Sequence, residues 1–68
     1  MVHITIGERL KYSLEVRGIS QKEFSKMIGV SDATVSKLIH GHRVFDAEII
    51  VLICRTLGIS SDWLLGMV

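Results

Sequence analysis

The chain has 68 residues, of which 49% are hydrophobic and 22% charged. That is one domain with a lean core, because a chain of this size buries only about 60% of its unfolded surface; the composition excludes intrinsic disorder, argues against an enclosed catalytic pocket and points to a partner surface. The net charge is only +1, but residues 9–43 hold seven bases against three acids while residues 44–68 hold one base against three acids, so the middle of the chain suits a polyanion and the end does not.

With no proline in the chain, glycines and caps supply the punctuation. Thr5 and Glu8 have the spacing of a capping box, and Ile6, Leu10 and Leu14 then recur at helical spacing up to Gly18, which predicts a first helix over about 6–17. Ser20 and Glu23 form a second box, with Ile19 placed to staple onto Phe24, so a second helix starts at Gln21 and stops at Gly29. After Val30-Ser31 a third helix starts near Asp32. It turns Val35, Leu38 and Ile39 to one side and Ala33, Ser36, Lys37 and His40 to the other, and Gly41 ends it.

The fourth helix, about 46–57, is expected to turn Ala47, Ile50, Ile53, Cys54 and Leu57 inward. Ile49, Val51 and Leu52 extend its apolar surface nearly all round, leaving Glu48 and Arg55 as a polar strip. The run Ile49 to Cys54 is the longest apolar stretch and far short of the roughly 20 residues of a membrane span. Cys54 is the single cysteine, which excludes an internal disulfide and a zinc knuckle and suits simple packing. Ile59-Ser60 repeats the staple and cap before a short fifth helix over 61–66 with Trp63, Leu64 and Leu65, and across the segment 60–68 Trp63, Leu64 and Met67 share the arc that packs on the domain. The expected fold is all-α with five short helices. The first residues have neither a basic region nor a long apolar stretch, so no secretory signal is expected and the cytoplasm is the expected location.

Two helices joined by Gly29-Val30-Ser31, the second with a small polar outward face, fit a helix-turn-helix unit over about 20–40. The longer string is more specific: Ile6-Gly-Glu-Arg-Leu-Lys, Gly18-Ile-Ser-Gln, Ile28-Gly-Val-Ser, Thr34-Val-Ser-Lys, His40-Gly, Leu57-Gly-Ile-Ser and Asp62-Trp-Leu-Leu-Gly. In order and spacing, over residues 6–66 and after a short segment 1–5, this resembles the Cro/repressor-type (lambda-repressor-like, or XRE) helix-turn-helix family of bacteria and their phages.

The resemblance implies roles. Gln21 corresponds to a family glutamine that binds a DNA phosphate, where free backbone N–H groups favour an anion; the bland alternative is a plain first-turn polar residue. The base-facing positions are Ser31, Asp32, Ala33 and Lys37, with Thr34 and Ser36 alongside. Lys37 can donate to guanine O6 and N7 or grip a phosphate; Ala33 can touch a thymine methyl or simply permit close approach. Asp32 can accept from cytosine N4 or merely favour the helix N-terminus, and a carboxylate there is unusual for the family. Ser31 serves as cap and possible phosphate donor. His40, His42 and Arg43 match the loop that grips phosphates. The two histidines lack a nearby carboxylate or cysteine to complete a metal site, so no metal and no cofactor is expected.

The family pattern is broken at Phe45, where a proline is common, and at Ile49, Val51 and Leu52, which are more often polar; the last three favour a protein contact. Leu65 and Val68, three apart on a face without an obvious internal partner, predict a homodimer through the C-terminal helix, assisted by Ile49 and Leu52. The expected function is a sequence-specific double-stranded DNA-binding regulator, a dimeric repressor on an inverted repeat, with no small-molecule ligand, no membrane contact and no catalysis. The alternative is a protein-interaction module such as an antitoxin or anti-repressor, which the apolar excess and Asp32 favour.

Overall fold

A computed structural model describes residues 5–67 as five α-helices: α1 (Ile6–Arg17), α2 (Gln21–Ile28), α3 (Asp32–Ile39), α4 (Ala47–Leu57) and α5 (Ser61–Leu64). Each starts where a side-chain oxygen takes one of the N–H groups that an opening turn leaves unpaired. Thr5 Oγ1 accepts from the Glu8 N–H at 3.1 Å and Asp46 Oδ1 from the Ile49 N–H at 2.9 Å. At Ser20 both halves of the capping box are made, since its hydroxyl accepts from the Glu23 N–H and its own N–H donates to Glu23 Oε1. Asp46 thus starts α4 without a proline.

The amphipathic stripes meet in one core of Leu10, Leu14, Phe24, Ile28, Val35, Leu38, Ile39, Ile49, Ile53, Leu57 and Leu64. Helix α2 packs on α3 and α4, α1 packs on α3 and α5, and α4 also packs on α5. The short α5 is tied to α1 by Trp63, whose ring lies 6.3 Å from that of Tyr12 and 5.9 Å from the Arg9 guanidinium carbon, a tilted aromatic pair with a cation over the same indole. Among the described residues no buried side-chain oxygen or nitrogen lacks a hydrogen-bond partner. None of the described helices is long and apolar enough to cross a membrane.

Two sequence expectations are corrected. Ile49, expected on the outward side of α4 and in a dimer contact, is buried, whereas Ala47 is exposed and Ile50 only half-buried. A helix that is apolar nearly all round does not announce its inner face, and the core selects Ile49, Ile53 and Leu57, each four residues apart. Met67, expected to pack with Trp63 and Leu64, is 73% exposed, because α5 stops at Leu64 and Gly66 takes the chain out of the helical path at φ 77°. Val68 lies outside the described residues. Burial also pushes the Cys54 thiol up from its ordinary value, in keeping with a packing role.

Gly7, on the first turn of α1, supports the arrangement in a way its sequence neighbours do not reveal. A Cβ built there would fall 2.7 Å from the Leu38 carbonyl oxygen and closer still to that of Ile39, so α1 and the end of α3 touch backbone to backbone. Gly7→Ala would gain about 1 kcal/mol of helix propensity but incur overpacking against rigid main chain, typically about 1–3 kcal/mol. The expected outcome is a net loss of stability in urea denaturation; an unchanged or raised midpoint would show that the helices are not held this close.

Candidate nucleic-acid interface

The unit formed by α2 and α3 turns on Gly29, whose φ of 74° lies in the left-handed region that a side chain disfavours. Both the Gly29 and the Val30 N–H donate to the Ser25 carbonyl, and half-buried Val30 packs on the core, which fixes the exit angle of the chain into α3. Ser31 then caps α3: its Oγ accepts from the Thr34 N–H at 3.1 Å and lies 2.8 Å from Thr34 Oγ1.

With Val35, Leu38 and Ile39 buried, the remaining α3 residues are turned outward. Asp32, Ala33 and Lys37 are exposed, while Thr34 and Ser36 are half-buried beside them. The structure therefore brings together on one surface the candidate base-facing residues. It also shows that Ser31 and Thr34 have partners in each other, so their hydroxyls are partly committed before any ligand arrives. Asp32 sits in the first turn of α3, where the helix dipole favours a carboxylate.

Gln21 is half-buried at the first position of α2. The capping box there uses the Ser20 and Glu23 N–H groups, which leaves those of Gln21 and Lys22 as the donors an opening helical turn presents to an anion.

At the other end of α3 the chain turns at His40 and Gly41, and the His42 N–H donates to the Lys37 carbonyl at 2.8 Å. His40, His42 and Arg43 are all exposed. Residues 41–45 form a shallow pocket with Thr5, Ile6, Gly7 and Leu38, so this loop arches over the start of α1. The His40 imidazole is already engaged: Nδ1 lies 2.8 Å from the Ser36 carbonyl oxygen, one helical turn back, and 3.4 Å from the Ser36 hydroxyl. A carbonyl only accepts, so Nδ1 carries the proton; the neutral ring then offers Nε2 as an acceptor, and His40 donates to a phosphate only as imidazolium. His42 and Arg43 carry no such restriction. Among the described residues no group of three or more His, Cys, Asp or Glu is placed to hold a metal ion.

Leu52 and Leu65, two of the residues expected at a dimer contact, are each 37% exposed, on α4 and just after α5. The residue that sequence reasoning missed is Gly7, which sets the height of the α3 end and of the loop above it. Its signal was present in outline, since a glycine inside a helical pattern usually marks a close approach.

A glycine-hinged helix pair with a free, polar second helix defines a helix-turn-helix protein. The chain belongs to the helix-turn-helix family, whose profile matches residues 10–64, and within it to the Cro/repressor type. Among solved structures it is similar to the P22 c2 repressor protein, crystallised in complex with synthetic operator 9T in the presence of Tl+. The TM-score is 0.82 at 28% identity, and the match covers 90% of this chain and 92% of that one.

The cap that begins α3 is testable without DNA. Ser31→Ala should lower stability by about 1 kcal/mol, and Ser31→Asp should recover most of it. Equal denaturation midpoints for the wild type and Ser31→Ala would show that Thr34 or solvent satisfies the turn unaided.

Proposed function

We propose that this protein is a sequence-specific double-stranded DNA-binding transcriptional regulator, a repressor that occupies an inverted-repeat operator as a dimer and excludes other proteins from it. The carrying observation is α3 itself: three buried residues hold it in place, and its opposite face presents Asp32, Ala33, Ser36 and Lys37 free of the core. The similarity to a repressor crystallised with a synthetic operator supports DNA binding by this chain. A helix of this kind enters the major groove with its first turns against base edges.

In this reading Lys37 donates to a guanine edge, Ala33 meets a thymine methyl or permits close approach, and Asp32 accepts from a cytosine amino group. Ser31, Thr34 and Ser36 lie alongside. Gln21 with the first N–H groups of α2 binds one phosphate, and His42 and Arg43, with protonated His40, bind others. Phosphate contacts set register and the base contacts set sequence. Catalysis is no part of the reading, and the role is carried out by occupancy alone.

Selection of bound duplexes from a random pool, followed by titration at several salt concentrations, tests it. Log affinity should fall with log salt by roughly 0.9 for each phosphate neutralised. No binding to any selected duplex at about 50 mM salt would overturn the function.

The division of roles has its own test. Lys37→Ala should cost about 1–3 kcal/mol on the best site and relax preference at one base pair, whereas Arg43→Ala should weaken all sequences alike and reduce the salt slope by about one. Identical specificity profiles for the two variants would contradict the assignment of Lys37 to a base.

A further inference from the structure

The outer side of α4 is used neither by the core nor by the proposed DNA surface. Ala47, Glu48, Val51, Leu52 and Arg55 line a shallow groove there, with Val51 48% and Leu52 37% exposed. We infer that this groove receives a second copy of the chain through the same helix, the two α4 helices running antiparallel about a two-fold axis.

The order of the residues carries the inference. Glu48, Val51, Leu52 and Arg55 follow i, i+3, i+4, i+7 and so lie on one face. The midpoint between Glu48 and Arg55 falls between Val51 and Leu52. An axis through that midpoint, perpendicular to α4, reverses the face onto itself: each charged residue lies about 5 Å along the helix from the axis, so Glu48 comes level with the partner's Arg55 at both ends. Val51 and Leu52 meet their counterparts in the middle. The face is thus self-complementary in charge and apolar at its centre, as an isologous interface requires.

Neither charge has a counterpart on its own helix face. Three and four residues from Glu48 stand Val44, Phe45, Val51 and Leu52; the same offsets from Arg55 reach Val51, Leu52, Gly58 and Ile59. The usual i, i+4 pairing on a helix surface is therefore absent for both, and a second copy supplies it. Four side chains per copy fall short of the roughly 800 Å² per partner of a standard interface, so the pair is weak in solution and forms at high concentration or when both copies sit on one duplex. The inference deepens the dimer part of the proposed function and does not depend on which DNA is bound.

Sedimentation equilibrium of the full chain, from micromolar to millimolar concentration, tests it by charge exchange. The wild type should self-associate. Glu48→Arg and Arg55→Glu should each weaken association by about tenfold or more, since each sets like charges against one another at both ends of the contact. The double variant E48R/R55E should restore association, and the two single variants mixed together should pair with each other more tightly than either pairs with itself. All these side chains are exposed, and circular dichroism confirms that each variant is folded. A wild type that stays monomeric at millimolar concentration, single variants that associate like the wild type, or a double variant that does not recover would overturn the inference. So would a Leu65→Lys variant that abolishes association while the charge reversals leave it intact, which would move the contact to the C-terminal segment. Duplex binding by the wild type is measured separately, and its failure would overturn the DNA reading without touching the sedimentation result.

Discussion

Main chain meets main chain where Gly7 of α1 passes the Leu38 and Ile39 carbonyls of α3, and the position of the C-terminal end of α3 and of the loop after it follows from that contact. With no side chain between them, α1 draws the C-terminal end of α3 into the domain far enough to bury Val35, Leu38 and Ile39 together. Burying each such side chain is worth about 1.5–3 kcal/mol, which a helix of eight residues needs because it is too short to be stable alone. The same approach sets where the loop after α3 emerges, so that residues 41–45 close over the first turn of α1 with His42 and Arg43 exposed.

Polarity on the outward face is arranged in layers. The Ser31 and Thr34 hydroxyls are bonded to each other and hold the first turn in shape; the Ser36 carbonyl accepts from His40 and holds the last. These contacts order the surface without adding charge to it. The residues left for a ligand are Asp32, Ala33 and Lys37, two of opposite charge and one small, in place of a uniformly basic stripe. In the proposed function the phosphates are met instead at the helix and loop ends, at Gln21, His42 and Arg43, which separates positioning from reading. In the same proposal the Asp32 carboxylate adds repulsion at every site except one that repays it with a donor, which favours discrimination over strength.

The helix starts were legible in the sequence because a cap is a local event: Ser20 with Glu23, Ser31 with the Thr34 N–H and Asp46 with the Ile49 N–H each act within one turn. The inner face of α3 was legible for a related reason, since its apolar residues occupy a single stripe. What depended on distant chain was not. Ile49 and Ile50 are identical in kind and adjacent on a helix with almost no polar side, so only the neighbours that α4 meets in the core decide which is buried. The pattern through Trp63, Leu64 and Met67 holds only if α5 continues, and the chain leaves the helix before Met67 is reached. Residue type alone makes His40 a simple phosphate donor, because its bond to the Ser36 carbonyl follows from a ring rotation that residue type does not encode. Which residues of α3 face outward is written in its spacing, and the physical roles among them follow only from their hydrogen bonds.

The two unpartnered faces, that of α3 and that of α4, place opposite demands on affinity. A good base contact discriminates by about 1–3 kcal/mol, and in the proposed reading α3 offers one long cationic donor and one carboxylate, so a single copy reaches at most the lower part of the roughly 4–10 kcal/mol that separates specific from non-specific binding. Two copies on the proposed inverted repeat would read twice as many bases, and their discrimination would multiply. That gain does not require a strong dimer in solution. Once one copy is seated, the second experiences a local concentration that raises its occupancy even through a weak protein contact. The proposed interface of Val51, Leu52 and two charge pairs suits that arrangement, weak enough in solution to need high concentration and sufficient to make occupancy of a paired site rise steeply with protein concentration.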